Sequence, residues 1–294
     1  MKRIIMVAFI ISVANKSFAQ LKEHMFSFNY SLAPIGGDEV DFYKTDLKAN
    51  IPVKLKKGKI INSIGFDYYQ LNYTNDYSFA TANLTEFYNI SYGLNYIYPI
   101  SNTVSISAKA EVSIASNLIN TVSSDDLLLL GDIFLSKKIG GETGKGSLIV
   151  GASYNVITGK PNVLPIVSYT KQVNNKFSYS IGYPKTYANY KMSPVSSLKS
   201  FLSIDGVYAN LNSLTYVNTM TEANKASFTT TSLGLEYDYI MDGFWSISFK
   251  GGYSVSNKYT LLNNNDDEVF DFNTVSKPFL SAGIKFNLKS KNKN

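Results

Sequence analysis

The residues of this chain that could do chemistry are few. The single histidine is His24. A hydrolase base must hold its imidazole against a hydroxyl or a water. His24 could do so only if the segment around it lined a site; otherwise it is a solvated residue near a chain start. Glu236 and Asp238 stand two residues apart. On a strand that spacing puts both carboxylates on one face, ready for acid–base work or for pairing with lysines on neighbouring strands, such as Lys250. Gly140-Gly-Glu-Thr-Gly144-Lys145-Gly-Ser147 resembles a phosphate loop, but position 139 is Ile and no helix pattern follows, so it reads as a hairpin turn. Asn263, Asn265, Asp267 and Asp271 offer oxygen ligands of the kind Ca²⁺ takes. The glycine that bends a calcium loop is missing, and a solvated acidic loop explains them too. Tyr183, Lys185, Tyr187 and Tyr190, within YPKTYANY, could hold a sugar or lipid headgroup from an external loop, or serve as interfacial aromatics. With no Cys there is no thiol or disulfide chemistry, and no motif implies a cofactor.

The elements that must position these groups declare themselves by alternation. From Thr103 to Leu118 the even positions Val104, Ile106, Ala108, Ala110, Val112 and Ile114 are apolar, while the odd ones carry Ser, Lys109 and Glu111. A period of two held this long predicts a strand able to cross a bilayer, for which about 9–11 tilted residues suffice. The pattern recurs along the chain, as in Tyr88, Ile90, Tyr92, Leu94, Tyr96 and in Trp245, Ile247, Phe249. Charges keep to the polar parity: Lys44, Asp46, Lys48, Lys54, Asp67, Lys109, Glu111, Asp132, Asp205, Glu236, Asp238, Lys250 and Lys285. Facing lipid at mid-membrane, a lysine would cost about 2–4 kcal/mol. The fold expected is all-β, an antiparallel transmembrane barrel, and those thirteen side chains are expected to line its lumen.

Residues 1–19 read as a cleaved secretory signal: Lys2 and Arg3, an apolar core from Ile4 to Val13, then Ser17-Phe18-Ala19. The barrel would occupy 20–288 and a basic tail 289–294. Taking the leader's three positives from the formal +6 leaves +3, a balance that points away from nucleic acid. An outer-membrane address follows, with membrane lipid and the barrel assembly machinery as partners.

Loop lengths predict fourteen strands, provided that Phe201 to Thr219 is two strands turning at Asn210-Leu211-Asn212; twelve is the alternative. A single strand there would put both asparagines on the lipid parity, where unsatisfied amides are costly. Short turns such as Lys56–Gly58 and Pro99–Asn102 sort to the periplasmic side. Longer segments, including Lys185–Leu198 and Lys258–Val275, sort outside.

Ser281-Ala-Gly283-Ile-Lys-Phe286-Asn-Leu288 resembles the C-terminal signal read by the assembly machinery, although six residues follow it. The Ala19-Gln20 junction, the Tyr-rich strands and Gly182-Tyr183-Pro184-Lys185 resemble an uncharacterised family of outer-membrane barrels from Bacteroidota. That resemblance implies a fold and an address, and no activity. Six lysines against seven carboxylates on the polar parity predict cross-strand pairing rather than a single-sign ring. The function expected is a channel or uptake barrel of modest conductance and weak charge selectivity. Alternatives are a binding or structural barrel with a closed lumen and, less favoured with one histidine, a lipid hydrolase.

Overall fold

The structure is a computed structural model that describes residues 24–33, 40–141 and 144–288; the segments expected to be a leader (1–19) and a basic tail (289–294) lie outside the described residues. Strands follow in the order β1 (Phe26–Ala33), β2 (Val40–Lys54), β3 (Lys59–Tyr73), β4 (Glu86–Pro99), β5 (Val104–Ser116), β6 (Leu127–Gly141), β7 (Gly144–Asn155) and β8 (Asn162–Gln172). Then come β9 (Phe177–Tyr183), β10 (Lys185–Lys191), β11 (Ser196–Tyr216), β12 (Glu222–Ile240), β13 (Trp245–Leu262), β14 (Glu268–Asp271) and β15 (Lys277–Phe286). Antiparallel pairing runs from β1 through β13, and β15 closes the ring between β13 and β1. Fourteen strands make the wall, while β14 only extends the far end of β13.

Polarity is inverted relative to a water-soluble protein. Leu129 (72% exposed), Val163 (72%) and Ile181 (60%) stand on the outer face, whereas Ser63, Ser113, Ser153 and Ser248 are buried. Every backbone group inside a bilayer needs a partner, and only a closed ladder supplies them to strands. Phe244 and Trp245 pack on Phe286 at the end that carries both described termini. That terminal end has the short turns, and the opposite end has the long loops.

The expected count of fourteen is reached by a different route. Residues 201–219 do not form a hairpin: β11 is one strand of 21 residues, and Asn210 and Asn212 lie within it. The missing strand is β10, in the segment read as an external loop. Tyr183 ends β9, Lys185, Tyr187 and Tyr190 lie in β10, and their turn at Pro184 sits level with Val167 of β8 and Ser203 of β11. The turn therefore lies at mid-wall, because Tyr187 and Asn189 find ladder partners in both β9 and β11.

Above this short hairpin the wall is unpaired. Residues 162–166 of β8 pair only with β7, and Ile204 makes the last bond to the hairpin, donating its N–H to Pro184 O at 3.2 Å. Pro165 removes one donor from the open edge, the usual place for a strand proline. The loop 156–161 leans across to β11, where Val156 and Ile157 carbonyls approach Gly206 so closely that a Cβ there would clash.

Candidate functional site

The inner face of the barrel changes character along its axis, and this gradient builds the site. Toward the terminal end it carries charge. Glu236 on β12 is 3% exposed and accepts hydrogen bonds from Lys285 Nζ (2.7 Å) and Lys199 Nζ (3.0 Å), with Lys250 Nζ at 4.0 Å. Asp238 shares Lys285 at 2.7 Å and Lys199 at 3.7 Å. Lys250, directly opposite Glu236 on β13, is thus farther from it than Lys199, opposite on β11, and than Lys285 from β15, two strands away. A second group joins Lys44 to Asp67 (3.2 Å), with Asn29 donating to Asp46 (2.7 Å) and Asn89 to Asp67 (3.2 Å). Lys109 and Glu111 pair along one strand at 2.6 Å, and the register sets Lys109 opposite Asp132, whose carboxylate is held by Ser153. Asp205 accepts from Ser203. Lys48 and Lys54 share the inward parity of Lys44 on β2.

At the long-loop end the inner face turns apolar. Phe42 and Val40 continue the inward parity of Lys44; Tyr69 and Leu71 continue that of Asp67; Val207, Ala209 and Leu211 continue that of Asp205. These residues pack with Phe87, Ala226 and Phe272, all 0% exposed, into one core inside the barrel mouth. On β13 the parity must first be switched. Thr231 pairs with Ser256 while Ser232 pairs with Ser254, so Val255 is the extra residue of a bulge. One residue of slip exchanges the faces, and Tyr259 and Leu261 turn inward. Tyr259 stacks between Phe228 (4.1 Å) and Phe272 (4.0 Å), with its hydroxyl 2.8 Å from that of Tyr73.

The upper part of β11 crosses this mouth and makes one parallel pairing with β5, Asn210 to Ser116. The two asparagines that read as a turn are its fastening. Asp126, 0% exposed, accepts from Asn210 Nδ2 (2.7 Å) and Asn212 Nδ2 (2.9 Å), while Asn117 Oδ1 accepts from Asn212 N at 2.8 Å. The amides avoid lipid by leaving the wall, so a turn is not needed. Burial pushes the Asp126 carboxyl up, but hydrogen bonds from Ser116, the Ser123 backbone, Asn210 and Asn212 outweigh it and hold the pKa below the ordinary carboxylate value. A lowered folded-state pKa means that the stabilisation is fully present above roughly pH 4 and is lost as pH falls through the lowered value. The expected outcome is a fall in urea midpoint between pH 7 and pH 3 that is smaller in Asp126→Asn. An equal fall in both proteins would remove Asp126 as the cause.

The other candidates are dispersed. His24 precedes β1; its Nδ1 lies 2.6 Å from Asn287 Nδ2. Burial, with help from the nearby Lys285 charge, lowers its pKa, leaving a neutral ring bound to an amide. Lys185 and Tyr187 point inward from β10, with Lys185 over the Phe201 ring (5.7 Å) and Lys199 over Tyr187 (5.9 Å). Tyr183 and Tyr190 take the outward parity, so the four do not form one external cluster. In the acidic loop, Asn263 Oδ1 accepts from the backbone of Asn265 and Asp267, and Asp271 accepts from Asn273 N. Among the described residues no three His, Cys, Asp or Glu converge as a metal site. Lys199, Asp126 and the apolar mouth escaped the sequence reading. The mouth's signal was present in inward-parity residues that change from charged to apolar near one end of β2, β3 and β11; Asp126 lies between strands, and Lys199 directly follows the segment read as a loop.

No curated protein matches the sequence. Among solved structures, the NanC porin is similar over 90% of this chain and 100% of its own, at 11% identity and a TM-score of 0.42. An outer membrane channel from Pseudomonas putida F1 is similar over 94% and 100%, at 10% identity and 0.43. LpxR from Salmonella typhimurium is similar over 89% and 100%, at 10% identity and 0.41. Residues 38–287 match the family described as Domain of unknown function (DUF6268), and the chain belongs to that family.

Proposed function

We propose that this protein is an outer-membrane barrel closed at its external end, a binding barrel whose charged chamber opens to the periplasm. The address rests on the apolar outer belt and the leader pattern. The orientation rests on the rule that termini and short turns face the periplasm. The observation that carries the reading is the packed core around Tyr259 and Phe272 inside the long-loop mouth. A standing pore needs a continuous wet path, and an apolar, fully buried core interrupts one. Below it Asp205 and Lys185 point inward yet remain exposed, which marks space within the chamber.

Because the chain has no cysteine, single introduced thiols report access cleanly. Met220, 91% exposed at a long-loop tip, and Asp205 are the two positions. With a maleimide too bulky for general porins, Met220→Cys is expected to react in intact cells. Asp205→Cys is expected to react only after the outer membrane is permeabilised. Reaction of Asp205→Cys in intact cells at the rate of Met220→Cys would restore the open channel; no reaction after permeabilisation would refute the periplasmic chamber.

A further inference from the structure

Near the terminal end, β7, β8, β9 and β10 surround a cavity of about 250 Å³. Lys145, Lys176 and Lys191 line it, together with Ser147, Thr170, Gln172 and Ser178, and no carboxylate is present among its described lining residues. None of the three lysines makes an ion pair with a described residue, whereas the lysines around Glu236 are bound to acids. The backbone beneath them is fixed: Asn174 Oδ1 accepts from Lys176 N (2.9 Å) and Phe177 N (2.8 Å), and Lys191 N donates to Lys176 O (2.8 Å). Like charges gathered around one cavity repel each other, and a bound anion relieves that repulsion.

We infer that this cavity is a binding site for a small phosphate-bearing polyanion. The cationic groups available are all ammonium, since the only arginine is Arg3 in the leader. Paired carboxylate recognition favours the planar fork of arginine, while ammonium groups act as point charges that suit a compact, multiply charged oxyanion. Hydroxyl and amide groups share the rest of the lining with the Phe177 ring, so polar contacts are at hand for a hydrophilic ligand beside the three ammonium groups. The volume holds roughly eight water molecules, below the usual range for drug-sized ligands and adequate for a diphosphate. Lys145 and Ser147 belong to the segment that resembled a phosphate loop; here a hairpin and its neighbours present them, with no helix involved. The site does not depend on which end of the barrel faces the periplasm.

The test uses the full barrel refolded in zwitterionic detergent and titrated calorimetrically with sodium pyrophosphate. Wild type is expected to bind, and the triple variant Lys145→Gln, Lys176→Gln, Lys191→Gln to bind at least about tenfold more weakly. Lys258→Gln, at the other end of the barrel, is expected to match wild type. A heat-modifiability gel confirms that each variant is folded. No binding by wild type, or equal binding by wild type and the triple variant, overturns the site. Repeating the titration in phosphatidylcholine vesicles with and without phosphatidylglycerol assigns the source: competition by the anionic lipid identifies a headgroup phosphate, and its absence a soluble one.

Discussion

Replacing Glu236 by alanine is expected to lower the stability of the folded barrel by about 3–5 kcal/mol, the cost of removing one partner from a buried ion pair. The carboxylate is nearly inaccessible and holds Lys285 and Lys199 at 2.7 and 3.0 Å. Lys285 is itself only 8% exposed, so the deletion leaves an ammonium with Asp238 as its remaining acid. Asp238→Ala should cost less, because that side chain is 22% exposed and water can replace part of what it supplied. Urea unfolding in a fixed lipid or detergent reads both. A Glu236→Ala midpoint equivalent to within about 0.5 kcal/mol of wild type, the scale of an ordinary surface substitution, would show that the network is not structural.

The second large effect is expected at the mouth. Tyr259 is 2% exposed and sandwiched by two parallel rings, so Tyr259→Ala removes packing and leaves a void, at about 3–5 kcal/mol. Tyr259→Phe keeps the stack and loses only the bond to Tyr73, at about 1 kcal/mol. If the two substitutions were equally costly, the hydroxyl pair rather than the aromatic core would hold the mouth shut. The same truncation opens space where β11 crosses, so it joins stability to permeability in one side chain.

Much of this architecture was legible in the residues. Two-residue alternation and the confinement of charge to one parity depend only on local pattern and on the cost of charge in lipid, and they yielded the barrel. Where reading failed, a long-range fact was at work. Asn210 and Asn212 looked like a turn because their amides had no visible partner; Asp126, more than 80 residues away in sequence, is that partner. YPKTYANY looked like a loop because of its proline and its polar content, yet both of its neighbours supply ladder partners. The bulge at Val255 reverses which face Tyr259 takes, and a strict count of two cannot foresee that. The apolar packing at the mouth follows from these events together, so pattern alone left both an open and a closed lumen as readings.

The proposed closure of the long-loop end rests on aromatic packing rather than ion pairing. It is tested most directly by recording conductance across planar bilayers from wild type and from the Tyr259→Ala, Phe272→Ala double variant. Both must first be shown to be folded by heat modifiability. Wild type is expected to give no stable conductance steps, and the double variant to give discrete steps. Steady steps from wild type, unchanged in the double variant, would show that the aromatic core leaves the barrel open.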